Sequence, residues 1–294
     1  MRPMGLTISN IFEASSANYG EGVGNVTALK KISRGNGEAY SYISRQAIRY
    51  EIVNQMEVAN TRLGLDGSVI QFAPEATIKE YPEIDLFGYM KTVKPAKTRS
   101  AVVRLSNAIS LETFNGDLDF LTNKGLLDRY NKQEGQSPKD GGNIAQSEIH
   151  KSYYAYTITI DLDKVGVDEN DGIDIENSEK ERRVNRLLDT VKFLYRDIKG
   201  RREDLKPLFS IGGVYEIKNP FFEGKLKIEE NKLRIETIKD ILQLDDRIKG
   251  NTECGLIKGI FSNCGDIQKE LSTLDMGVYF ENLKKKVTNY YKGL

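Results

Sequence analysis

Residues 152–162, SYYAYTITIDL, alternate between two sets of side chains along their whole length. One face of an extended chain would carry Tyr154, Tyr156, Ile158, Ile160 and Leu162, and the other would carry Tyr153, Thr157, Thr159 and Asp161. A period of two in aromatic and β-branched residues is typical of a β-strand, because successive side chains point to opposite faces. We therefore predict a strand here.

The segments on either side of this strand predict the order of the other elements. We expect strands at Gly5–Ile11, Arg99–Ile109 and Leu208–Ile217. A first helix is predicted from Ser44, and its apolar stripe would consist of Ile48, Ile52, Met56 and Ala59. A second is predicted from a capping box of Ser178 and Glu181, with apolar positions continuing to Leu194, Tyr195 and Ile198 before Gly200. The resulting βαββαβ order predicts an α+β fold of the ferredoxin-like type, which RNA-recognition domains also use.

Three long stretches interrupt this order. They are a glycine-rich stretch at 12–43, a stretch at 60–98 with possible strands at Val69–Phe72 and Asp85–Met90, and an excursion at 110–150. Loops of this length inside a compact domain are usually functional or disordered. We therefore expect the insertions to carry part of the function.

The charges of the chain are balanced in number but segregated in sequence. The 294 residues contain 43 lysines and arginines and 43 aspartates and glutamates. No acid occurs from Leu86 to Leu111, whereas Asp161–Glu181 is crowded with acids. Such segregation can give a neutral protein a basic face, although surface charge of mixed sign is the alternative interpretation.

The residue inventory excludes several classes of protein. Cys254 and Cys264 are the only cysteines and His150 is the only histidine, which excludes a disulfide-stapled domain and an ordinary Cys/His zinc site. The chain has neither a signal-like start nor a long apolar run, so we expect a cytoplasmic protein with no membrane partner. Asp117 with Asp119, or Asp161 with Asp163, could hold a metal, but Asp-x-Asp pairs are common in loops.

The stretch SRQAIR, residues 44–49, is the strongest binding signal. Arginines are unfavourable at a helix N-terminus, which is already electropositive, unless an anion binds there. Ser44 can cap the helix while first-turn N–H groups remain free for a phosphate oxygen. Arg45 and Arg49 add cations that bind phosphate in bidentate fashion, and Gln46 adds an amide. An ordinary amphipathic helix is the alternative, and the acid-free stretch favours the backbone of a nucleic acid.

Four stretches resemble one family. They are LTISNIFEASSANYGEGVGNVTALKKI (6–32), YSYISRQAIRYEI (40–52), KTRSAVVRLSNAISLETFNGDLDFLT (97–122) and HKSYYAYTITIDLDKVG (150–166). They look like the backbone subunit of the type I-B CRISPR surveillance complex, Cascade, in the DevR autoregulator branch of the RAMP superfamily. The resemblance covers roughly residues 5–220, and the Ser-Arg-Gln-Ala-x-Arg helix start is its most specific part.

The resemblance implies a modified ferredoxin-like palm with inserted fingers and a long β-hairpin thumb. The palm would comprise 5–59, 99–109 and 152–220, the fingers about 60–98, the thumb about 110–150, and a C-terminal extension 221–294. Copies of the chain would form a helical filament along a CRISPR RNA, contact other Cascade subunits, and present the guide to target DNA in antiviral defence. An apolar thumb residue would kink the RNA, and Leu126, Leu127 and Ile144 are the candidates.

The residues that match the family motif are expected to contact the RNA backbone. These are Ser44, Arg45, Gln46 and Arg49, with Lys97, Arg99 and Arg104 added from charge and placement. Type III relatives cut RNA with an aspartate between the first strand and the first helix, but Gly22–Gly37 contains no acid and the matching place is near Asn25. The resemblance therefore implies a non-catalytic protein without a cofactor. The alternatives are a metal-assisted ribonuclease using Asp117 or Asp119, and a regulatory protein that binds a small molecule.

Overall fold

The computed structural model describes residues 2–24, 26–92, 94–134 and 144–293. Its helices are α1 (Arg45–Gln55), α2 (Pro82–Phe87), α3 (Lys124–Glu134), α4 (Asn177–Lys192), α5 (Ile235–Leu242), α6 (Asp246–Asn251), α7 (Cys264–Leu271) and α8 (Met276–Lys292). Its strands are β1 (Gly5–Ala14), β2 (Tyr19–Val23), β3 (Val26–Leu29), β4 (Lys31–Ser33), β5 (Ala39–Ile43), β6 (Leu63–Asp66), β7 (Val69–Phe72), β8 (Tyr89–Lys91), β9 (Lys97–Arg99), β10 (Val103–Leu105), β11 (Ala108–Ser110), β12 (Asp117–Thr122), β13 (Ile144–Ile149), β14 (Ser152–Asp161), β15 (Val167–Asp168), β16 (Ile173–Asp174), β17 (Tyr195–Ile198), β18 (Arg201–Asp204), β19 (Phe209–Tyr215), β20 (Ile228–Glu229), β21 (Lys232–Leu233), β22 (Thr252–Leu256) and β23 (Leu274–Asp275).

The largest sheet runs in the order β23-β22-β19-β1-β14-β11-β5-β4, and β10 also pairs with β14. The pairs β1–β14 and β1–β19 are antiparallel, with Ile8 opposite Ile158 and Phe12 opposite Tyr154. These apolar side chains pack against α1, α4 and α8 in the first hydrophobic core. Each fully buried side chain of this size contributes about 1.5–3 kcal/mol by leaving water. Burial of these alternating apolar side chains therefore stabilises the mixed α+β fold.

The opposite face of the sheet is also covered, which the alternation did not predict. A second core packs Ile11 and Phe209 of the sheet against C-terminal residues that include Phe222 and Leu226. The polar side chain of Ser9 is therefore buried, and it satisfies its hydroxyl against Thr157 at 2.6 Å. The face of β1 and β14 that carries these polar side chains is therefore covered by protein and not by solvent.

The strand predicted at 152–162 is confirmed as β14, whereas two other predictions need correction. The stretch predicted as one strand, Arg99–Ile109, is divided among β9, β10 and β11. The division after β10 follows from Ser106, whose hydroxyl accepts a hydrogen bond from the N–H of Thr157. The predicted strand Asp85–Met90 is the end of α2 followed by β8, because Pro82 suits the first turn of a helix.

Both predicted helices form, but their ends differ from the predictions. Ser44 caps α1, which ends at Gln55, so that Ala59 lies beyond it and is exposed. Helix α4 begins after Glu176, so Ser178 is not its cap and the proposed capping box does not form. It ends at Lys192, and Gly200 has φ +77° in the two-residue turn of the β17–β18 hairpin.

The excursion at 110–150 contains an antiparallel pair, β12 and β13, with helix α3 between them in the chain. β13 also pairs in parallel with β3, and β3 pairs antiparallel with β2, so this small sheet joins the excursion to the glycine-rich stretch. Residues 135–143 lie outside the described part of the chain. Several large apolar side chains are exposed on this unit, namely Leu118, Phe120, Leu121, Leu126 and Ile144.

Candidate nucleic-acid interface

The start of α1 is fixed by side chains from distant parts of the chain. The Ser44 hydroxyl accepts a hydrogen bond from Ala47 N–H at 3.3 Å and donates one to Asn18 Oδ1 at 2.7 Å. The N–H of Arg45 donates to Asn107 Oδ1 at 2.9 Å. Two of the first-turn N–H groups are therefore already satisfied. The expectation that these groups remain free for phosphate is corrected, and any anion held here must be held mainly by side chains.

Arg45 lies exposed at this tip, and no described carboxylate is within ion-pair distance of it. Gln46 is exposed beside it. Arg49, one turn further along, is half-buried with its guanidinium 5.0 Å from the Phe87 ring centre and 4.0 Å from Glu83. Burial lowers the pKa of Arg49 and Glu83 raises it, but an arginine remains protonated at neutral pH in either case. The tip of α1 therefore carries two guanidinium groups with little compensating charge.

A cavity of about 380 Å³ brings several predicted site residues together. Its lining, called the arginine groove below, is Arg45, Gln46, Arg49, Phe87, Ala101, Val103, Arg104 and Leu105. Among these described residues three guanidinium groups converge, and the lining contains no carboxylate. Arg104 comes from β10, whereas the other two arginines come from α1, so the groove is formed by the sheet edge and the helix tip.

Arg104 differs from Arg45 in having an acidic partner. Its Nη1 lies 3.0 Å from Asp161 Oδ2, and its side chain is 48% exposed. Asp161 also meets Lys218 at 3.6 Å and Lys164 at 4.0 Å, so its charge is shared among three cations. Arg104 therefore keeps an exposed guanidinium that can still reach a second anion.

Lys97 and Arg99 do not lie in the arginine groove. The Arg99 side chain is only 7% exposed and pairs with Asp85 at 2.8 Å. Its Nε donates to the carbonyl of Val167, and the Nη2 that pairs with Asp85 also donates to the carbonyl of Lys164. Lys97 pairs with Asp171. The guanidinium of Arg99 is therefore enclosed and already satisfied, and Lys97 lies apart from the groove. The RNA contacts of these two residues stay predictions.

The acid-free segment and the acid-rich segment pack against each other. Lys97 pairs with Asp171, and Arg104 pairs with Asp161. Arg99 donates to backbone carbonyls of 164–167. The basic face expected from the charge segregation is therefore largely neutralised at this contact. Of these three cations only Arg104 lines the arginine groove, and the other two arginines of the groove come from α1.

A second cavity, of about 680 Å³, adjoins the arginine groove and shares Arg45 and Leu105 with it. Its floor is the sheet face with Ile109, Ala155 and Thr157, and its roof is the segment 222–229, called the strap below. Arg34 and Tyr40 lie at one side, with the Arg34 guanidinium 4.1 Å from the ring centre of Tyr40. Sequence reasoning missed this strap cavity, and also Asn18 and Asn107, because no local motif marks residues that meet only through the fold.

His150 has a structural position. It is buried, its Nδ1 lies 2.7 Å from the Ser41 hydroxyl, and Tyr154 donates to its carbonyl at 3.1 Å. The Ser41 hydroxyl is itself enclosed and lies 2.7 Å from that of Tyr154. This buried network gives a substrate no access, so it holds β5 against β14.

Lowering the pH should reduce the free energy of unfolding, because His150 is buried. Burial lowers its pKa below the ordinary value of about 6.5, although Glu112 and a backbone hydrogen bond raise it. Because the unfolded chain then binds the proton more readily, the free energy of unfolding falls as pH falls through about 6.5. Urea unfolding at pH 8 and pH 5.5 should show a smaller fall in His150→Gln than in the wild type. Equal falls would show that His150 does not contribute.

The two pairs of candidate carboxylates lie in different surroundings. Asp161 and Asp163 are both paired with Lys218. Asp117 and Asp119 are exposed on β12, and the described residues contain no group of three or more His, Cys, Asp or Glu that could hold a metal. Asn25, the position matched to the type III aspartate, lies outside the described residues. No described helix has the length and apolar character needed to cross a bilayer.

The chain is similar to a curated CRISPR-associated protein. A curated relative, the CRISPR-associated protein Cas7/Cst2/DevR of Myxococcus xanthus (strain DK1622), is 26% identical over 162 residues, which are 49% of this chain and 52% of the relative. The chain therefore aligns with about half the length of this relative.

Two solved structures resemble the fold. A chain of a CRISPR RNA-guided surveillance complex, pre-nicking, matches with a TM-score of 0.61 and 12% identity, covering 95% of this chain and 100% of that one. A chain of a CRISPR RNA-guided surveillance complex matches with a TM-score of 0.52 and 15% identity, covering 87% and 90%. The model of the family CRISPR-associated negative auto-regulator DevR/Csa2 matches residues 6–232, and the chain belongs to that family.

Proposed function

We propose that this chain is a non-catalytic subunit that holds the guide RNA in a type I-B CRISPR surveillance complex. The observation that carries the proposal is the arginine groove, where Arg45, Arg49 and Arg104 converge without a carboxylate in the described lining. Guanidinium groups bind phosphate oxygens in bidentate fashion, and a row of phosphates multiplies such contacts along a strand. Membership of the DevR/Csa2 family supports the same assignment.

The strand order supports a modified ferredoxin-like palm. The strands β19, β1 and β14 are neighbours in that order, with β10 and β11 on the far side of β14, and all of these pairs are antiparallel. If β1, β10 with β11, β14 and β19 are counted as the first to fourth strands of the chain, the sheet order is fourth, first, third, second, which this fold requires. Helix α1 lies between the first and second of these strands in the chain, and α4 lies between the third and fourth. Residues 60–98 would then be the fingers, and 110–150 the thumb.

We further propose that copies of the chain assemble along one CRISPR RNA, with other Cascade subunits, and present its bases to target DNA. The thumb would insert an apolar side chain between bases. Leu126 on α3 and Ile144 at the start of β13 are exposed, whereas Leu127 is half-buried, which favours the first two as the wedge. Their exposure in a single chain is expected of residues that meet RNA or a second copy.

The proposal predicts that RNA is bound but left intact. Expression beside a CRISPR array should yield protein with co-purifying RNA, and the ratio of absorbance at 260 to 280 nm is a sensitive readout because the chain has no tryptophan. Incubation of the purified complex with labelled RNA and Mg²⁺ should give no cleavage products.

Cleavage that disappears in Asp117→Asn or Asp119→Asn would instead establish the metal-assisted ribonuclease. Absence of bound RNA at low salt would contradict the guide-holding role and leave the small-molecule regulator as the better candidate.

A further inference from the structure

The strap cavity and the arginine groove adjoin each other but differ in charge. Among its described residues, the lining of the arginine groove contains three arginines and no acid. The described lining of the strap cavity contains three cations, Arg34, Arg45 and Lys227, and three acids, Glu38, Glu223 and Glu229. Carboxylates repel phosphate, so the strap cavity is poorly suited to a sugar–phosphate backbone. It suits an uncharged ligand that both donates and accepts hydrogen bonds.

We infer that the strap cavity receives an unpaired nucleobase of the strand whose phosphates lie in the arginine groove. The inference rests on the proposed function and adds a base-binding site to it. Arg45 lines both cavities, so a nucleotide with its phosphate at this side chain has its base beside the strap cavity. A cavity of about 680 Å³ leaves ample room for a base and its sugar.

The walls of the cavity have the chemistry that a base requires. Ile109, Ala155 and Leu226 provide apolar surface for the face of a ring. The Oδ1 of Asn107 accepts from Arg45 N–H, which leaves the Nδ2 hydrogens of the same amide as donors. Glu223 has no described ion partner and is an acceptor for the exocyclic amino group of a base. Donors and acceptors on an apolar surface distinguish a base from a phosphate.

The strap is a firm roof, because its apolar residues are buried. Phe222, Leu226 and Ile228 belong to the second hydrophobic core, and the carbonyl of Lys227 accepts from Arg234 N–H at 3.0 Å. Arg34 lies over Tyr40 at the side of the cavity, where its planar guanidinium offers a further surface for stacking. The site is thus preformed.

Filling the floor tests the inference. Ala155→Phe places a ring where the base would lie and should weaken guide RNA binding about tenfold, the cost of losing one stacked base. The loss should be the same at every salt concentration, because no phosphate contact is removed. Ala59→Phe makes the same change at an exposed position that lines neither cavity, and it should bind as the wild type does. An Ala155→Phe variant that folds and binds as Ala59→Phe does would overturn the inference.

A measurement on the unmodified protein avoids any dependence on folding of a variant. Guide RNA carrying 4-thiouridine should crosslink, on illumination, to residues of the strap or the cavity floor, which mass spectrometry can identify. RNA that binds but crosslinks only outside this cavity would overturn the base site and leave the RNA-holding function intact. Protein that binds no guide RNA would instead overturn the proposed function itself.

Discussion

Arg45→Ala with Arg49→Ala should weaken binding of guide RNA about a hundredfold at low salt, with no dependence on base sequence. Each arginine is expected to supply a charge-assisted hydrogen bond to phosphate worth about 1.5 kcal/mol or more, and two such losses give that factor. The salt dependence should also become shallower, by about 0.7 slope units per lost contact on a single strand. Filter binding across a range of salt concentrations measures both quantities.

A matched control removes the same charge elsewhere. Arg62 and Arg247 are exposed, and each pairs with a nearby acid outside the arginine groove. Their double alanine variant should keep the affinity and slope of the wild type. If Arg45→Ala with Arg49→Ala lowers the melting temperature yet retains the wild-type slope, Arg49 serves the fold through Phe87 and Glu83 and the proposed RNA contact is wrong. Arg104→Ala should weaken RNA binding less than Arg45→Ala or Arg49→Ala alone, because Asp161 already pairs with the Arg104 guanidinium.

The sequence predicted those parts of the fold that depend on local periodicity. Alternation at 152–162 was sufficient to predict β14, and Ser44 was sufficient to predict the cap of α1. The end of α4 was predicted wrongly, since apolar spacing continues through Tyr195 and Ile198. These residues instead pair with β18 across Lys199 and Gly200, both with positive φ, which is the geometry of a tight two-residue hairpin.

The candidate site was predicted only in part, because the sequence does not show which charged segments pair with each other in the fold. Arg45, Gln46, Arg49 and Arg104 line one groove, as the helix-start motif and the acid-free stretch suggested. Lys97 and Arg99 belong to the same stretch, but the acid-rich segment lies against them. A charge count along the chain cannot reveal which segments become neighbours. For the same reason it could not reveal Asn107, which meets Arg45 from 62 residues away.

Asp85→Ala should cause the largest loss of stability, because two buried guanidinium groups lose the carboxylate that lies between them. Asp85 is fully buried, and its two oxygens lie 2.8 Å from Arg99 Nη2 and 2.8 Å from Arg183 Nη1. The N–H of Gly166 donates to the same carboxylate at 2.9 Å. Removing one partner of a buried ion pair costs about 3–5 kcal/mol, so the free energy of unfolding measured in urea should fall by that amount.

The geometry of this triad explains why the effect should reach beyond α2. Asp85 joins α2 to Arg183 of α4 and to Arg99 at the end of β9, so its loss should loosen the segment 60–98 from α4. Replacing Asp85, Arg99 and Arg183 together with Leu, Met and Met should restore much of the stability, since apolar groups of similar volume leave no unpaired charge. Asp197→Ala breaks only an exposed pair with Arg202 and should leave the urea midpoint nearly unchanged. An Asp85→Ala midpoint equal to that of Asp197→Ala would show that the buried triad contributes nothing to the fold.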